Sequence, residues 1–407
     1  MTSITRDYWV PSYEGGGFLN LMVSLGQACG AGSSPYAPLS TVDTSEWARA
    51  RNLILLLVDG LGADYLAQNS PEGFLHRHQV AVLTSVCPTT TAAAIPTAMT
   101  GLAPAAHALT GWHVYVAELD AVTAVLPIVG RGRPLPDHPA AWPEGLFGYA
   151  TLFQQLQRPS RVVTPAYLSD SAFSVFHAQG AVRHPYYKDP FPWLATMPFW
   201  RRRQDLFGTL RRLCHEPGPP SFTYAYWPCF DNAAHDGGIA GQQALDAFRQ
   251  IEQGLEEFLE STRGTDTMVV LTADHGFVDS PARRQIHLAN HPELARLLLR
   301  PLCGERRFAY CYVRPDAHSD FEDYVAGEFR GAMEAWPRAK LLDEAWYGSG
   351  PISARLPGRI GDYVLAMQDD WTIRDRVPGE DPIELVGVHG GLSAAEMHIP
   401  LCVACAA

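Results

Sequence analysis

The sequence contains no apolar run of about 18 residues, so no membrane-spanning helix is expected. Its start, MTSITRDYWVPSYEGG, has no basic segment followed by an apolar one, and no signal peptide is expected. A basic excess is also missing. The net charge is −12, which argues against a nucleic-acid polymer as partner. Charged residues make up only 18% of the 407, against 47% hydrophobic, enough to build one large domain or two around a sizeable core. No internal repeat is present. Cysteine is sparse and scattered: of eight, only Cys402 and Cys405 form a CxxC, inside the apolar segment LCVACAA and without a second pair. That placement reads as the end of a buried strand rather than a zinc or redox site. A reduced, cytoplasmic protein is the expectation; nothing in the composition points to an oligomeric state.

Short apolar runs are plentiful, and they alternate with helix-length segments. LILLLV (53–58), AVTAVLPIV (121–129), SRVVTPA (160–166), SFTYAYW (221–227), TMVVLTA (267–273) and YVLAMQ (363–368) read as strands. The uninterrupted apolar character of the first and fifth suits strands buried on both faces of a parallel sheet. Helices are expected over 61–69, 91–100, 148–157, 240–262 and 319–334. The alternation predicts an α/β fold, a doubly wound and mostly parallel sheet flanked by helices. Residues 301–345 read as strand–helix–strand, a small inserted α+β cap on a core formed by 1–300 and 346–407. The Pro-rich loop 130–145 and the aromatic, Pro-rich stretch 184–200 are candidate lids or partner surfaces.

Ligands of open α/β sheets gather at the carboxyl ends of strands. There LILLLV runs into Asp59-Gly60, and TMVVLTA into Asp274-His275-Gly276. After SFTYAYW comes FDNAAHDGG, where Asp231 and His235 would share one face of a helical turn. Further on, GVHGG surrounds His389 with glycines that suggest close backbone approach. Three carboxylates and three imidazoles form a mixed set that suits Zn²⁺, Mn²⁺ or Fe²⁺ better than Mg²⁺ or Ca²⁺. With a hydroxyl added, they suffice for two metals about 3.5–4 Å apart, as in two-metal phosphoryl-transfer sites. VCPTTTAAAIPTAMTG (86–101) supplies hydroxyls at the mouth of an apolar helix, either to cap it or to react.

VDG at 58–60, PTTTAAAIPTAMTG at 88–101, DNAAH at 231–235, TADHG at 272–276 and VHGG at 388–391 occur in the order seen in one family. The chain resembles the alkaline phosphatase superfamily and, within it, the type I phosphodiesterase / nucleotide pyrophosphatase group. The resemblance spans residues 53–391. It implies one divalent ion held by Asp231, His235 and His389, and a second held by Asp59, Asp274 and His275 with Thr91 also bound, zinc being favoured. It makes Thr91, nine residues before Thr100, the nucleophile of a phospho-threonine mechanism. Thr89 and Thr90 are then left to cap or pack the helix. Activity is expected to fall on acidification through roughly pH 6–7, as protons compete with metal for the histidines.

The chain departs from the family pattern in two places. Where nucleotide pyrophosphatases carry an Asn that steadies a phosphate oxygen, this chain has Trp112. The lost donor would be replaced by a backbone N–H, by Thr90 or by Trp112 itself. The aromatic residue after the nucleophile is here Ala92. Tyr226 matches a family tyrosine, so Thr90, Trp112 and Tyr226 are the expected substrate-binding residues. No cation lies near Thr91 in the sequence, which favours a diester or pyrophosphate as the small-molecule substrate unless Arg131 or Arg133 reaches in. Cys87-Pro88 lacks the following Arg of a sulfatase motif. A phosphomonoesterase or phosphonate hydrolase, and a metal-stabilised binding protein without turnover, are the alternatives.

Overall fold

The computed structural model describes residues 8–135, 146–187, 205–380 and 383–406. Its centre is a seven-stranded sheet in the order Gln79–Thr84, His398–Cys405, Thr267–Thr272, Asn52–Val58, Ser221–Trp227, Ser160–Pro165, Ala181–Tyr186. From Thr267–Thr272 to Ala181–Tyr186 all pairings are parallel, and His398–Cys405 runs antiparallel to both of its neighbours. Asn52–Val58 and Ser221–Trp227 are buried at every residue, which explains the unbroken apolar run 53–58 of the first and the apolar and aromatic residues that dominate the second. This is the expected mixed α/β architecture. The strands Gln79–Thr84 and Ala181–Tyr186, which were not singled out from the sequence, are the two sheet edges and expose Val80, Val82 and Val182.

Helix Gln242–Ser261 covers one face of the sheet with the stripe Ala244, Ala247, Phe248, Ile251, Leu255, Phe258 and Leu259. Helix Thr91–Thr100 is buried almost throughout. Its run Ala92-Ala93-Ala94 lets helix Phe18–Ala28 pack against it, and Gly101, in the left-handed region at φ 68°, ends it. The helix expected over 148–157 does not form. Thr151 instead bonds the Gln179 carbonyl through its hydroxyl at 2.6 Å, and Leu152 N bonds Met99 O at 2.8 Å. Leu152 and Phe153 thus reach the core from an irregular segment.

A second, antiparallel sheet runs Met333–Pro337, Tyr363–Met367, Phe308–Cys311, Cys303–Gly304, His113–Val116, Ala121–Ala124, Val129–Gly130. The segment 301–345 therefore does not stand alone as a cap. Its strands are completed by 113–130 and 363–367, which include the apolar runs 121–129 and 363–368 that sequence alternation had suggested for the core. Helix His318–Glu328 packs its Phe321 and Val325 beneath this sheet. The expected helix 319–334 ends early because Met333–Pro337 is an edge strand. Most of 184–200, and 136–145 of the Pro-rich loop, lie outside the described residues. No helix of the described residues is long and apolar enough to cross a membrane. None of the eight cysteines is in a disulfide, and Cys402 is buried in strand His398–Cys405 as its apolar context suggested.

One buried ion pair ties the two sheets together. Arg307 Nε and Nη2 meet Glu396 Oε1 and Oε2 at 2.6 and 2.8 Å, and the guanidinium also donates to Trp371 O and Asp369 O. Glu396 accepts in addition from Gly391 N and the Ser393 hydroxyl, both at 2.7 Å. Removing one partner of such a pair strands the other in the interior, so Glu396→Ala should cost about 3–5 kcal/mol in denaturant unfolding. His177, fully buried between Tyr149 OH and the Phe173 carbonyl, has its pKa pushed down by burial to about 4. It is neutral when folded, so its contribution is intact above about pH 6.5 and is lost as pH falls toward 4, at about 1.4 kcal/mol per unit. His177→Gln should flatten the slope of unfolding free energy against pH in that window.

Candidate active site

The three central strands, Thr267–Thr272, Asn52–Val58 and Ser221–Trp227, end side by side and each delivers an acid. Asp59 follows its strand directly, held by its N–H to Trp227 O at 3.0 Å. Asp274 and His275 follow theirs. Gly276 is needed there for space, since a Cβ would overlap the Ala395 carbonyl oxygen; it is not in the left-handed region, so no special turn is involved. Asp231 and His235 stand on helix Cys229–Gly237, which makes the D-x-x-x-H spacing one face. His389 arrives from the far end of the chain, behind the short strand Gly387–Val388, which pairs with Val278–Asp279.

All seven groups converge. Thr91 Oγ1 lies 3.3 Å from Asp59 Oδ1 and 3.1 Å from His275 Nε2. His275 Nε2 is 3.5 Å from Asp59 and 3.6 Å from Asp274 Oδ2. Asp231 Oδ1 is 3.4 Å from His235 Nε2 and 3.8 Å from His389 Nε2. Two compact sets result, Asp59–Asp274–His275 and Asp231–His275–His389, each with ligand atoms within 4.8 Å of one another. The first is the set the resemblance implied. In the second, His275 takes the place expected for His235, whose ring is drawn toward Gly387 O and Phe277 while its Nε2 still faces Asp231.

The histidines are prepared as ligands. His235, His275 and His389 each point Nδ1 at a backbone carbonyl, of Gly387, Gly276 and Thr89, at 2.9, 3.1 and 3.1 Å. A carbonyl only accepts, so Nδ1 carries the hydrogen and Nε2 is left with its lone pair inward. Asp231 Oδ1 and Asp274 Oδ2 are buried with no hydrogen-bond partner. Unpaired carboxylate oxygens facing imidazole lone pairs are a cost unless cations join them. Burial, with Asp231 and Asp274 nearby, pushes the Asp59 carboxyl well above its ordinary value. Burial also holds His389 well below the ordinary histidine value, so it stays neutral further into acid than the free imidazole does. The donors present therefore fit two divalent ions with mixed N and O ligands.

The substrate-binding expectations fare differently. Thr90 occupies the N-cap position of the helix but caps nothing; its hydroxyl goes to Glu305 Oε1 at 2.6 Å. Thr89 donates to Gly391 O at 2.7 Å. The backbone N–H of Trp112 is also spent on Glu305 Oε1, at 2.7 Å, while the residue is 41% exposed at the cavity wall. Tyr226 lines the cavity, yet its hydroxyl donates to Asp59 Oδ2, making it a support for a ligand. Arg131 reaches the cavity with its guanidinium locked to Asp375 and Glu380, and Arg133 stays exposed outside it. The cavity itself measures about 1360 Å³ and carries apolar walls from Ile95, Met99, Leu126, Val162 and Phe173. Glu305 and Arg306, absent from any sequence motif, enter it from the turn between Cys303–Gly304 and Phe308–Cys311.

A parallel α/β sheet with carboxylates and imidazoles clustered at its carboxyl edge, and a threonine at the adjoining helix mouth, defines an alkaline-phosphatase-like architecture. The chain belongs to the type I phosphodiesterase / nucleotide pyrophosphatase family of hydrolases, which it matches over residues 53–392. Among solved structures it is similar to murine ectonucleotide pyrophosphatase / phosphodiesterase 5, at 16% identity and TM-score 0.60, covering 86% of this chain and 87% of that one. It is likewise similar to an inactive threonine-to-alanine form of the murine protein in complex with AMP, at 16% identity, TM-score 0.61 and coverage of 87% and 88%. The human protein gives 16%, 0.59, and 86% and 87%. No curated protein sequence matches the chain.

With the carboxylates crowded and uncompensated, removing one charge should relieve the metal-free protein. Asp59→Asn is expected to raise unfolding stability in EDTA by about 1–3 kcal/mol and to abolish most of the stabilisation that added Zn²⁺ or Mn²⁺ gives wild type.

Proposed function

We propose that the protein is a dinuclear-metal phosphodiesterase or nucleotide pyrophosphatase that works through Thr91 and a phospho-threonine intermediate. The observation that carries this reading is the placement of Thr91 Oγ1, the first helical residue of Thr91–Thr100, within hydrogen-bond reach of Asp59 and His275. Asp59, Asp274 and His275 would hold one ion, and Asp231 and His389 the other, with His235 beside Asp231. Such ions supply charge that lowers the pKa of a hydroxyl and draws electron density from phosphorus.

The residues account for the rest. Thr91 Oγ attacks phosphorus in line with the ester oxygen, forming the Oγ–P bond as the P–O bond to the leaving group breaks. Water then attacks the phospho-threonine, returning Thr91 and phosphate or a monoester. The N-terminus of helix Thr91–Thr100 directs its free N–H groups and partial positive charge toward the phosphoryl oxygens. Tyr226 keeps Asp59 oriented by its hydrogen bond to Oδ2. The apolar walls would receive an apolar or planar substituent. That the threonine-to-alanine form of murine ectonucleotide pyrophosphatase / phosphodiesterase 5 is described as inactive, in complex with AMP, supports both the threonine and a nucleotide-sized phosphate ester.

Purified protein supplied with Zn²⁺ or Mn²⁺ should hydrolyse bis(p-nitrophenyl) phosphate, and chelation should stop it. Thr91→Ala should lose roughly 10³-fold or more in kcat while metal content by elemental analysis is unchanged. Hydrolysis that survives Thr91→Ala would remove the nucleophile assignment. Bound metal without turnover of any ester would leave a binding protein instead.

A further inference from the structure

Glu305 lines the cavity, belongs to neither ligand set, and is bonded to Thr90, the residue before the proposed nucleophile. The turn that carries it is closed by Glu305 N to Phe308 O at 3.0 Å and Phe308 N to Glu305 O at 3.2 Å. Its stem is clamped by the backbone of Gly390, where an added Cβ would come within 2.6 Å of Glu305 Cβ. Its head is clamped by the two donors on Oε1, the Thr90 hydroxyl and the Trp112 N–H. Among the described residues no Lys or Arg forms an ion pair with it. The adjacent Arg306 instead donates to Ile383 O at 2.7 Å.

This arrangement inverts the electrostatics that the resemblance implied. The Thr90 hydroxyl and the Trp112 N–H are the donors that would replace the missing Asn on a phosphoryl oxygen, and both are already committed to a carboxylate. A negative group therefore stands one residue from Thr91. A phosphate monoester near neutral pH carries nearly two negative charges, and a diester carries one. A like charge fixed in a partly desolvated site discriminates against the more highly charged ligand.

We propose that Glu305 sets the ester class of this centre: its carboxylate, held by Thr90 and Trp112 beside Thr91, disfavours phosphate monoesters and admits phosphoryl groups that bear a single negative charge, as in diesters and internal pyrophosphate linkages. The assignment rests on the phosphoryl-transfer reading above. Burial pushes the Glu305 carboxyl up to about 7, so the tests belong at about pH 8.5, where it is ionised.

Glu305→Gln keeps the oxygen that receives Thr90 and Trp112, removes the charge and presents an amide donor to the cavity. In the metal-loaded protein it should raise the ratio of kcat/KM for p-nitrophenyl phosphate to that for bis(p-nitrophenyl) phosphate by about tenfold or more. By calorimetry, the affinity for inorganic phosphate should rise by about tenfold or more as well. Glu305→Asp, which keeps the charge, should stay near the wild-type ratio and phosphate affinity. An unchanged ratio and unchanged phosphate affinity in folded Glu305→Gln would overturn the proposal, and so would an equal loss on both esters, which marks a structural or proton-transfer role. If wild type turns over neither ester, the phosphoryl-transfer reading fails, while the phosphate titration of the two variants still decides the charge effect of Glu305.

Discussion

Three carboxylates buried within a few ångströms of one another are the constraint on which this structure turns. Asp59, Asp231 and Asp274 lie at or just past the ends of three neighbouring parallel strands, and among the described residues their ion-pair partners are histidines, with no arginine or lysine. Water is largely excluded there, so their repulsion is not screened. The surroundings meet part of the demand with dipoles: Gly60 N and His275 N donate to Asp274, and Tyr226 donates to Asp59. Two carboxylate oxygens stay unpaired, and three imidazoles turn lone pairs rather than protons toward them. Bound cations would relieve this repulsion, and the same positive charge is what the proposed phosphoryl transfer would use.

The two sheets divide the labour. The parallel sheet supplies the hydroxyl proposed to react and five of the six metal-binding candidates, because parallel strands present all their carboxyl ends on one side. The antiparallel sheet supplies the facing wall, including Trp112, Glu305 and Arg306. The Arg307–Glu396 pair holds the halves in register. Glu396 grips Gly391, two residues from His389, and Arg307 sits two residues from Glu305. A change in how the sheets meet would thus be felt at once by a metal-binding candidate and by the group proposed to select the ester.

Much of the catalytic edge was legible in the chain. Asp59, Asp231, His235, Asp274, His275, His389 and Thr91 sit in short local patterns whose spacing reflects a strand end, a helical turn or a glycine contact. The three buried strands nearest the site were legible for the same reason, since burial on both faces writes an apolar run. Other features left no such trace. The edge strands carry mixed residues because one side meets solvent. The segment 148–157 has helix-like composition but spends its side-chain and backbone bonds on distant partners such as Gln179 and Met99. Thr90, placed as a cap by its neighbours in sequence, gives its hydroxyl to a residue more than two hundred positions away.

The amino-acid order alone determined the α/β class, through apolar runs that alternate with helix-length segments, and the family, through five short motifs in a fixed order. Tertiary structure alone decided which apolar runs join which sheet, that His275 lies between both acidic sets, that Tyr226 supports Asp59, and that Glu305 takes the donors at the helix mouth. Those outcomes depend on groups that approach through space from separate parts of the chain, and the energy of a buried charge or hydrogen bond is set by that approach rather than by distance along the backbone.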